Sequence, residues 1–267
     1  MSDRYDIVEK IGQGGTSQVY KIKDKNSGKE YAFKIIPKRK VAGDKIRNEI
    51  AIQSKLDNLH IMKIIESSED NDNFYIVMEL CGENLYDYIK DKALTYPEIA
   101  DIFFQVVKAV KYLHMNGVYH RDIKLENVVK CGLTWKLIDF GQATKEEYTE
   151  EPVGTLDYTA PELILMNTPV RSSPIDIWEL GILLYELIYK NPPFMERTYR
   201  ATYNAILNNN LQFPEKDVPN PFVNLIKQFL IKNPSDRPDI SHFYAMGIYF
   251  VQYEDEPEGR IKRFPGF

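Results

Sequence analysis

The sequence predicts an α+β fold of two lobes around a cleft, with a small N-terminal lobe built on an antiparallel sheet plus one helix and a larger, mainly helical C-terminal lobe. Two observations lead there. From Tyr5 to Leu80 apolar residues alternate or run in short β-branched blocks, whereas from about Asn84 they recur at helical spacing. No low-complexity linker lies between the halves, so they are expected to pack directly on each other. The lobes are placed at 5–80 and 81–250, with a hinge at about 79–83 and a C-terminal tail over 251–267.

In the small lobe, strands are expected at Gln18-Val-Tyr-Lys-Ile-Lys, Glu30-Tyr-Ala-Phe-Lys-Ile-Ile and Phe74-Tyr-Ile-Val-Met, with Asn26-Ser-Gly28 turning the chain between the first two. One helix interrupts them over 44–56, carrying Ile46, Ile50, Ile52 and Leu56 next to Glu49. The large lobe opens on a helix start: Thr95 and Glu98 form a capping box with Pro97 inside the first turn. Ile99, Phe103, Val106, Val110 and Leu113 then face a core until Gly117 stops the helix. A second apolar helix, near 175–189, ends at Asn191-Pro-Pro, and further helices are expected near 198–208 and 221–231.

Composition supports one globular catalytic-size unit. The 267 residues are 43% hydrophobic and 12% aromatic, enough for a full core. With 34 Lys plus Arg against 39 Asp plus Glu, the net charge of -5 argues against a broad nucleic-acid-binding surface. Cys81 and Cys131 are the only two cysteines, and they are expected to be reduced thiols rather than a disulfide framework. The most apolar stretch is broken by Asp176, Glu179 and Glu186, so neither a signal peptide nor a membrane span is expected.

The chemistry starts at Gly12-Gln-Gly14-Gly15-Thr-Ser17-Gln-Val19, a Gly-rich turn between strands where backbone amides could approach phosphate oxygens. By itself it is also the pattern of a tight hairpin. A strand follows instead of a helix, which removes a Rossmann-type dinucleotide site. Lys34 sits in an otherwise apolar strand, where its ammonium needs an anion unless it lies on the solvated face; Glu49 is the candidate partner.

The most specific block is Tyr119-His-Arg-Asp-Ile-Lys-Leu-Glu-Asn127, followed in order by Asp139-Phe-Gly and Ala160-Pro-Glu162. With the Gly-rich loop and Lys34, these motifs resemble the signature set of the protein kinases. That resemblance implies a bilobal kinase fold, ATP and Mg2+ as cofactors, and phosphoryl transfer to protein. It assigns Asp122 to the substrate hydroxyl, Lys124 to the transferring phosphate and Lys34 with Glu49 to the ATP phosphates, while Asn127 and Asp139 would hold magnesium. ATP would lie under Ile11, Gly12, Gln13, Gly14, Gly15, Thr16, Ser17, Gln18 and Val19, between Ala32 and Val129. Met78 would be the gatekeeper, and the backbone of Glu79 and Cys81 would pair with adenine. Lys124 resembles Ser/Thr rather than tyrosine kinases, and Arg237 resembles the buried partner of Glu162.

Within the Ser/Thr kinases, Glu49-Ile-Ala-Ile-Gln-Ser54, Gly154-Thr-Leu-Asp-Tyr158, Pro192-Pro-Phe-Met-Glu-Arg-Thr-Tyr199 and Leu230-Ile-Lys-Asn-Pro-Ser-Asp-Arg-Pro238 resemble the Aurora kinases. Ile123-Lys-Leu-Glu-Asn127 and Met78-Glu-Leu resemble the calcium/calmodulin and nutrient-sensing group equally well. The Aurora resemblance implies a role in chromosome segregation and spindle control, a nuclear and cytoplasmic location with spindle or chromosome association, and an activating partner peptide on the small lobe. Glu126 and Glu186, joined by Glu83, match positions that face arginines in basophilic kinases, so basic protein substrates are expected. A departure lies in the activation loop, where Glu150 and Glu151 stand in the place of a phosphorylatable Thr; Glu151 is expected to pair with Arg121 and replace the phosphate. The Ser17 substitution in the Gly-rich loop keeps a pseudokinase scaffold as the rival class. Phe264-Pro-Gly-Phe267 resembles a hydrophobic docking motif.

Overall fold

The computed structural model describes residues 4–151, 153–165, 168–215 and 217–251. The Phe264 to Phe267 motif therefore lies outside the described residues. The small lobe is a five-stranded antiparallel sheet in the order β1-β2-β3-β5-β4, formed by β1 (Tyr5–Gln13), β2 (Gln18–Asp24), β3 (Glu30–Pro37), β4 (Ile64–Glu69) and β5 (Asn73–Glu79). Helix α1 (Gly43–Gln53) crosses between β3 and β4. Gly28, at φ 70, makes the β2–β3 turn affordable because it carries no Cβ. Ile36, Ile64, Phe74 and Ile76 form the apolar layer against which Ile46 and Ile50 of α1 pack.

The large lobe contains α2 (Leu85–Lys90), α3 (Tyr96–Met115), α4 (Pro161–Leu165), α5 (Ser172–Tyr189), α6 (Tyr199–Asn208), α7 (Asn220–Phe229) and α8 (Ile240–Val251). Two small hairpin-like sheets join them: β6 (Val128–Cys131) with β7 (Thr134–Leu137), and β8 (Tyr148–Thr149) with β9 (Val170–Arg171). Helix α3 begins at the Thr95/Glu98 capping box and buries eleven residues, including Phe103, Val107 and Val110. Helix α5 is buried nearly all round and forms the axis of the lobe. Its Gly181 lets α7 approach closely, since an added Cβ would lie 2.6 Å from the Cβ of Phe229. Among the described residues no helix is long and apolar enough to cross a membrane.

One sequence expectation is corrected. Cys81, on the hinge, and Cys131, at the end of β6, are joined as a disulfide with their Cα atoms 4.6 Å apart. Fifty residues separate them in sequence, and only the ladder between hinge and hairpin brings them opposite each other.

Candidate active site

The candidate residues lie on the five-stranded sheet and α1 on one side and on the β6–β7 hairpin and its flanking loops on the other. On the first side, β1 and β2 are joined through the Gly-rich turn, where Gly12 pairs with Val19 and Gln13 with Gln18. The Gly14 N–H donates to the Ser17 carbonyl at 2.9 Å, closing the turn. An added Cβ on Gly14 would sit 3.2 Å from Ser17 Oγ, so the serine occupies space that the glycine leaves free. Ile11, Gln13, Gly15, Thr16 and Gln18 are exposed. In β3, Ala32 is buried opposite Met78 of β5, and Lys34 lies between Val19 and Ile76. Val129 on β6 is buried in the large lobe.

Lys34 Nζ lies 3.6 Å from Glu49 Oε1, so α1 is docked with its carboxylate at the cleft. Burial pushes the Glu49 carboxyl above the usual range, Lys34 opposes that shift, and the Asp139 carboxylate adds to it. Gln53, four residues on and fully inside, satisfies its amide by donating to the Met62 carbonyl at 2.9 Å.

Below the cleft, the catalytic loop is held from beneath by the apolar helix α5. The Asp176 carboxylate accepts from the backbone N–H of His120 at 3.0 Å and of Arg121 at 2.7 Å, and Glu179 Oε2 accepts from Ile123 N–H at 2.8 Å. Burial pushes the Glu179 carboxyl well above its usual range, with nearby Asp176 adding to the shift. These bonds fix Arg121 at φ 63, and Asp139 sits at φ 61, both in the left-handed region that costs non-glycine residues about 1–3 kcal/mol each. His120 Nε2 lies 3.0 Å from the Ile138 carbonyl and its ring stacks edge-on against buried Phe140 at 5.0 Å, so the two strained loops brace each other.

The side chains that the kinase resemblance assigns to phosphoryl transfer converge around Asp122. Lys124 Nζ donates to its Oδ2 at 2.9 Å, Thr155 Oγ1 donates to its Oδ1 at 2.9 Å, and Asn127 Nδ2 donates to its Oδ2 at 2.9 Å. Lys124 Nζ also donates to Thr155 Oγ1 at 2.7 Å, so the residue that follows Gly154 ties the activation segment to the loop. Three donors thus converge on one carboxylate, which would be placed by them to accept a substrate hydroxyl proton. Asn127 uses its Nδ2 on Asp122, so that its Oδ1 would be the oxygen ligand, and exposed Asp139 would supply a carboxylate next to Ile138, whose N–H donates to the Asn127 carbonyl at 2.9 Å. That pair suits a hard cation that takes its remaining ligands from phosphate and water. Among the described residues no group of three His, Cys, Asp or Glu side chains is placed to hold a metal ion. Magnesium would neutralise phosphate charge there, and Lys34 would do the same from the small lobe.

The hinge is anchored to the large lobe. Gly82 N–H donates to the Lys130 carbonyl at 2.7 Å, and Lys130 N–H donates to the Glu83 carbonyl at 3.0 Å. The Glu79 carboxylate accepts from Lys136 Nζ at 2.7 Å and from Lys63 N–H at 3.0 Å. The sequence motifs did not point to Thr155, Asp176, Glu179 or Lys136. Asp176 and Glu179 are visible in the sequence only as carboxylates inside an apolar helix, where burial demands a partner.

The expected Glu151–Arg121 ion pair is not formed. The Arg121 guanidinium instead donates from Nε to the Gln142 carbonyl at 2.8 Å. Burial lowers its affinity for the proton, while Asp176 and then Glu151 and Glu179 act on it as nearby charges. The activation segment is pinned elsewhere, by the β8–β9 pairing, the Arg171–Glu147 ion pair at 3.1 Å, and Ser172 Oγ donating to the Glu146 carbonyl at 2.8 Å. Thr149 is buried and its backbone belongs to β8, whereas Tyr148 is 53% exposed.

The protein kinase domain family matches residues 5–247 of this chain. The chain belongs to the protein kinase family, and its domain is of the protein-serine/threonine kinase class. It is similar to "Probable serine/threonine-protein kinase PLK" of Dictyostelium discoideum, 36% identical over 243 residues that cover 87% of this chain and 25% of that protein. It is similar to the serine/threonine-protein kinase PLK1 of Xenopus laevis, 36% identical over 86% of this chain and 40% of that protein. The NUAK family SNF1-like kinase 1 of Homo sapiens is 34% identical over 90% of this chain and 37% of its own length. A probable cell cycle kinase, the CDC5 homolog of Encephalitozoon cuniculi, is 33% identical over 91% of this chain. The chain spans between 25% and 54% of the length of these relatives. Their names are Polo-like and SNF1-like, where local segments of the sequence had pointed to Aurora.

Proposed function

We propose that this chain transfers the γ-phosphate of ATP to serine or threonine of basic protein substrates, in a cell-cycle role of the Polo kind rather than a specifically Aurora one. The observation that carries the reading is the closed network of Asp122, Lys124, Thr155 and Asn127 beneath a docked Lys34–Glu49 pair. Phosphoryl transfer depends on positioning and charge neutralisation, and this network does both without a covalent step. The cell-cycle assignment draws on the names of the Polo-like relatives and of the CDC5 homolog. The β8–β9 clamp supports activity without phosphorylation of the activation loop, since it orders the segment through backbone pairing.

For the substrate, Glu186 sits buried under the cleft floor and accepts from the Tyr158 hydroxyl. Burial raises its pKa to about 7, Tyr158 opposes the shift, and neighbouring Glu126 and Asp157 add to it. An arginine side chain entering beside Glu126 and Glu186 would supply the missing cation. The sign is fixed by the chemistry: Glu186 is ionised above its pKa and neutral below it. The KM for an arginine-containing peptide therefore rises about tenfold between about pH 8 and about pH 6, while the KM for ATP does not follow. Glu186→Gln flattens that dependence. Equal turnover of arginine-containing and acidic peptides by the wild-type chain would contradict the basic preference.

A further inference from the structure

The Cys81–Cys131 bond sits where the kinase reading places the adenine edge of the nucleotide, two residues from Val129 in the floor of the cleft. Backbone hydrogen bonds between Gly82, Glu83 and Lys130, together with the bridge between Asn84 and Val129, also lay the hinge along β6, so the sulfurs meet whenever these bonds are closed. Both cysteines are half-buried and so within reach of a small thiol or disulfide. The Cα separation of 4.6 Å lies within the range that a disulfide requires.

We propose that this pair is a reversible thiol–disulfide switch that sets how fast the lobes open to release nucleotide. When the bond is formed, Cys81 becomes part of the large lobe, and the free connector after β5 shrinks to Leu80. Glu79 is itself tied on both sides, to Lys63 at the start of the small-lobe strand β4 and to Lys136 of β7. Opening must then be absorbed by fewer backbone torsions, so the oxidised chain opens more slowly. Reduction returns residues 81–83 to the hinge, with hydrogen bonds that can break and reform.

The chemistry needs a two-electron oxidant of the low-molecular-weight disulfide class, such as oxidised glutathione. The Cys81 thiol gives up its proton and its thiolate attacks one glutathione sulfur, releasing one glutathione. The Cys131 thiolate then attacks the Cys81 sulfur of the mixed disulfide, forming the protein bond and releasing the second glutathione. Two protein thiols are oxidised, one glutathione disulfide is reduced to two thiols, and reduced glutathione runs the sequence backwards.

The test uses the full chain and a Cys131→Ser variant, each equilibrated in glutathione buffers of opposite poise. Bond formation is read by alkylation and mass, and release is read with a fluorescent ADP analogue in stopped flow. Oxidised wild type should release ADP about fivefold more slowly than reduced wild type, with kcat and the KM for ATP falling together. Cys131→Ser should match the reduced wild type at both poises. The inference is overturned if the bond does not form at either poise, if verified oxidised and reduced wild type release ADP equally fast, or if Cys131→Ser slows on oxidation as the wild type does. It rests on the cleft binding ATP, but ADP release is read without transfer. A chain that binds nucleotide and transfers nothing would thus sink the kinase reading and leave this inference to its own outcome.

Discussion

Asp122→Asn lowers kcat by about two to four orders of magnitude while leaving the affinity for ATP within about twofold of the wild type. The substitution keeps the shape of the side chain but replaces an acceptor oxygen with an NH2 group. All three groups that face the carboxylate are donors here: Lys124 Nζ, Thr155 Oγ1 and Asn127 Nδ2. The amide can accept at one end only, so the Lys124–Thr155 contact loses its organising centre along with the proton acceptor. Nucleotide contacts assigned to the Gly-rich turn, Ala32 and the hinge lie elsewhere and should hold. Measuring kcat beside ATP affinity by titration separates the two. An Asn variant that keeps wild-type turnover would remove Asp122 from the chemistry, and one that loses ATP binding in parallel would make its role structural.

Arg237→Ala should cost about 3–5 kcal/mol of stability, the range found when one partner of a buried ion pair is removed. The Arg237 side chain is fully buried and the Glu162 side chain is 8% exposed. The guanidinium donates to both Glu162 oxygens, at 2.9 and 3.2 Å, and from Nε to the Ile231 carbonyl at 3.0 Å, while also meeting the Pro174 carbonyl. Its planar face covers the Trp178 ring at 5.2 Å. The alanine leaves Glu162 with an unpaired buried carboxylate and removes this donor from the carbonyls of Ile231, Pro174 and Lys232. For a chain of this size the loss corresponds to a melting point lowered by about 6–20 °C, read by calorimetry. A shift of less than about 2 °C would mean that the pair adds only as much as a surface contact. Because Arg237 clamps α4 to the start of α5 and to the stretch after α7, away from Asp122, activity should fall only as far as folding does.

The motifs that make up the candidate site were legible because each is short and local. His120 to Asn127 is one continuous loop, and Asp139-Phe-Gly and Ala160-Pro-Glu162 are read without knowing where they meet. The Thr95/Glu98 capping box was legible for the same reason, since its geometry closes within one helical turn. What escaped is long-range. Thr155 reaches Asp122 across 33 positions, and Asp176 reaches the backbone of His120 across 56. The carboxylates of α5 read in the sequence as interruptions of an apolar stretch, when their function is to hold a strained loop from below. Cys81 and Cys131 read as independent thiols because no pattern within either segment reveals that the hinge lies along β6. Strand pairs as short as β8 and β9, two residues each, carry no period to detect. The Aurora type is not confirmed, and for a different reason. Short segments shared with Aurora weigh little beside the identity spread over the whole domain with Polo-like and SNF1-like relatives.

The most direct measurement is transfer of labelled phosphate from ATP to a basic protein substrate by the phosphatase-treated chain, with and without magnesium, followed by identification of the phosphorylated residue. The account predicts magnesium-dependent label on serine or threonine, with treated and untreated protein alike and with Asp122→Asn at background. Activity confined to untreated protein would contradict only the role given to the β8–β9 clamp. ATP bound by wild-type protein with no transfer above the Asp122→Asn background, treated or not, would contradict the account and make the chain a nucleotide-binding scaffold.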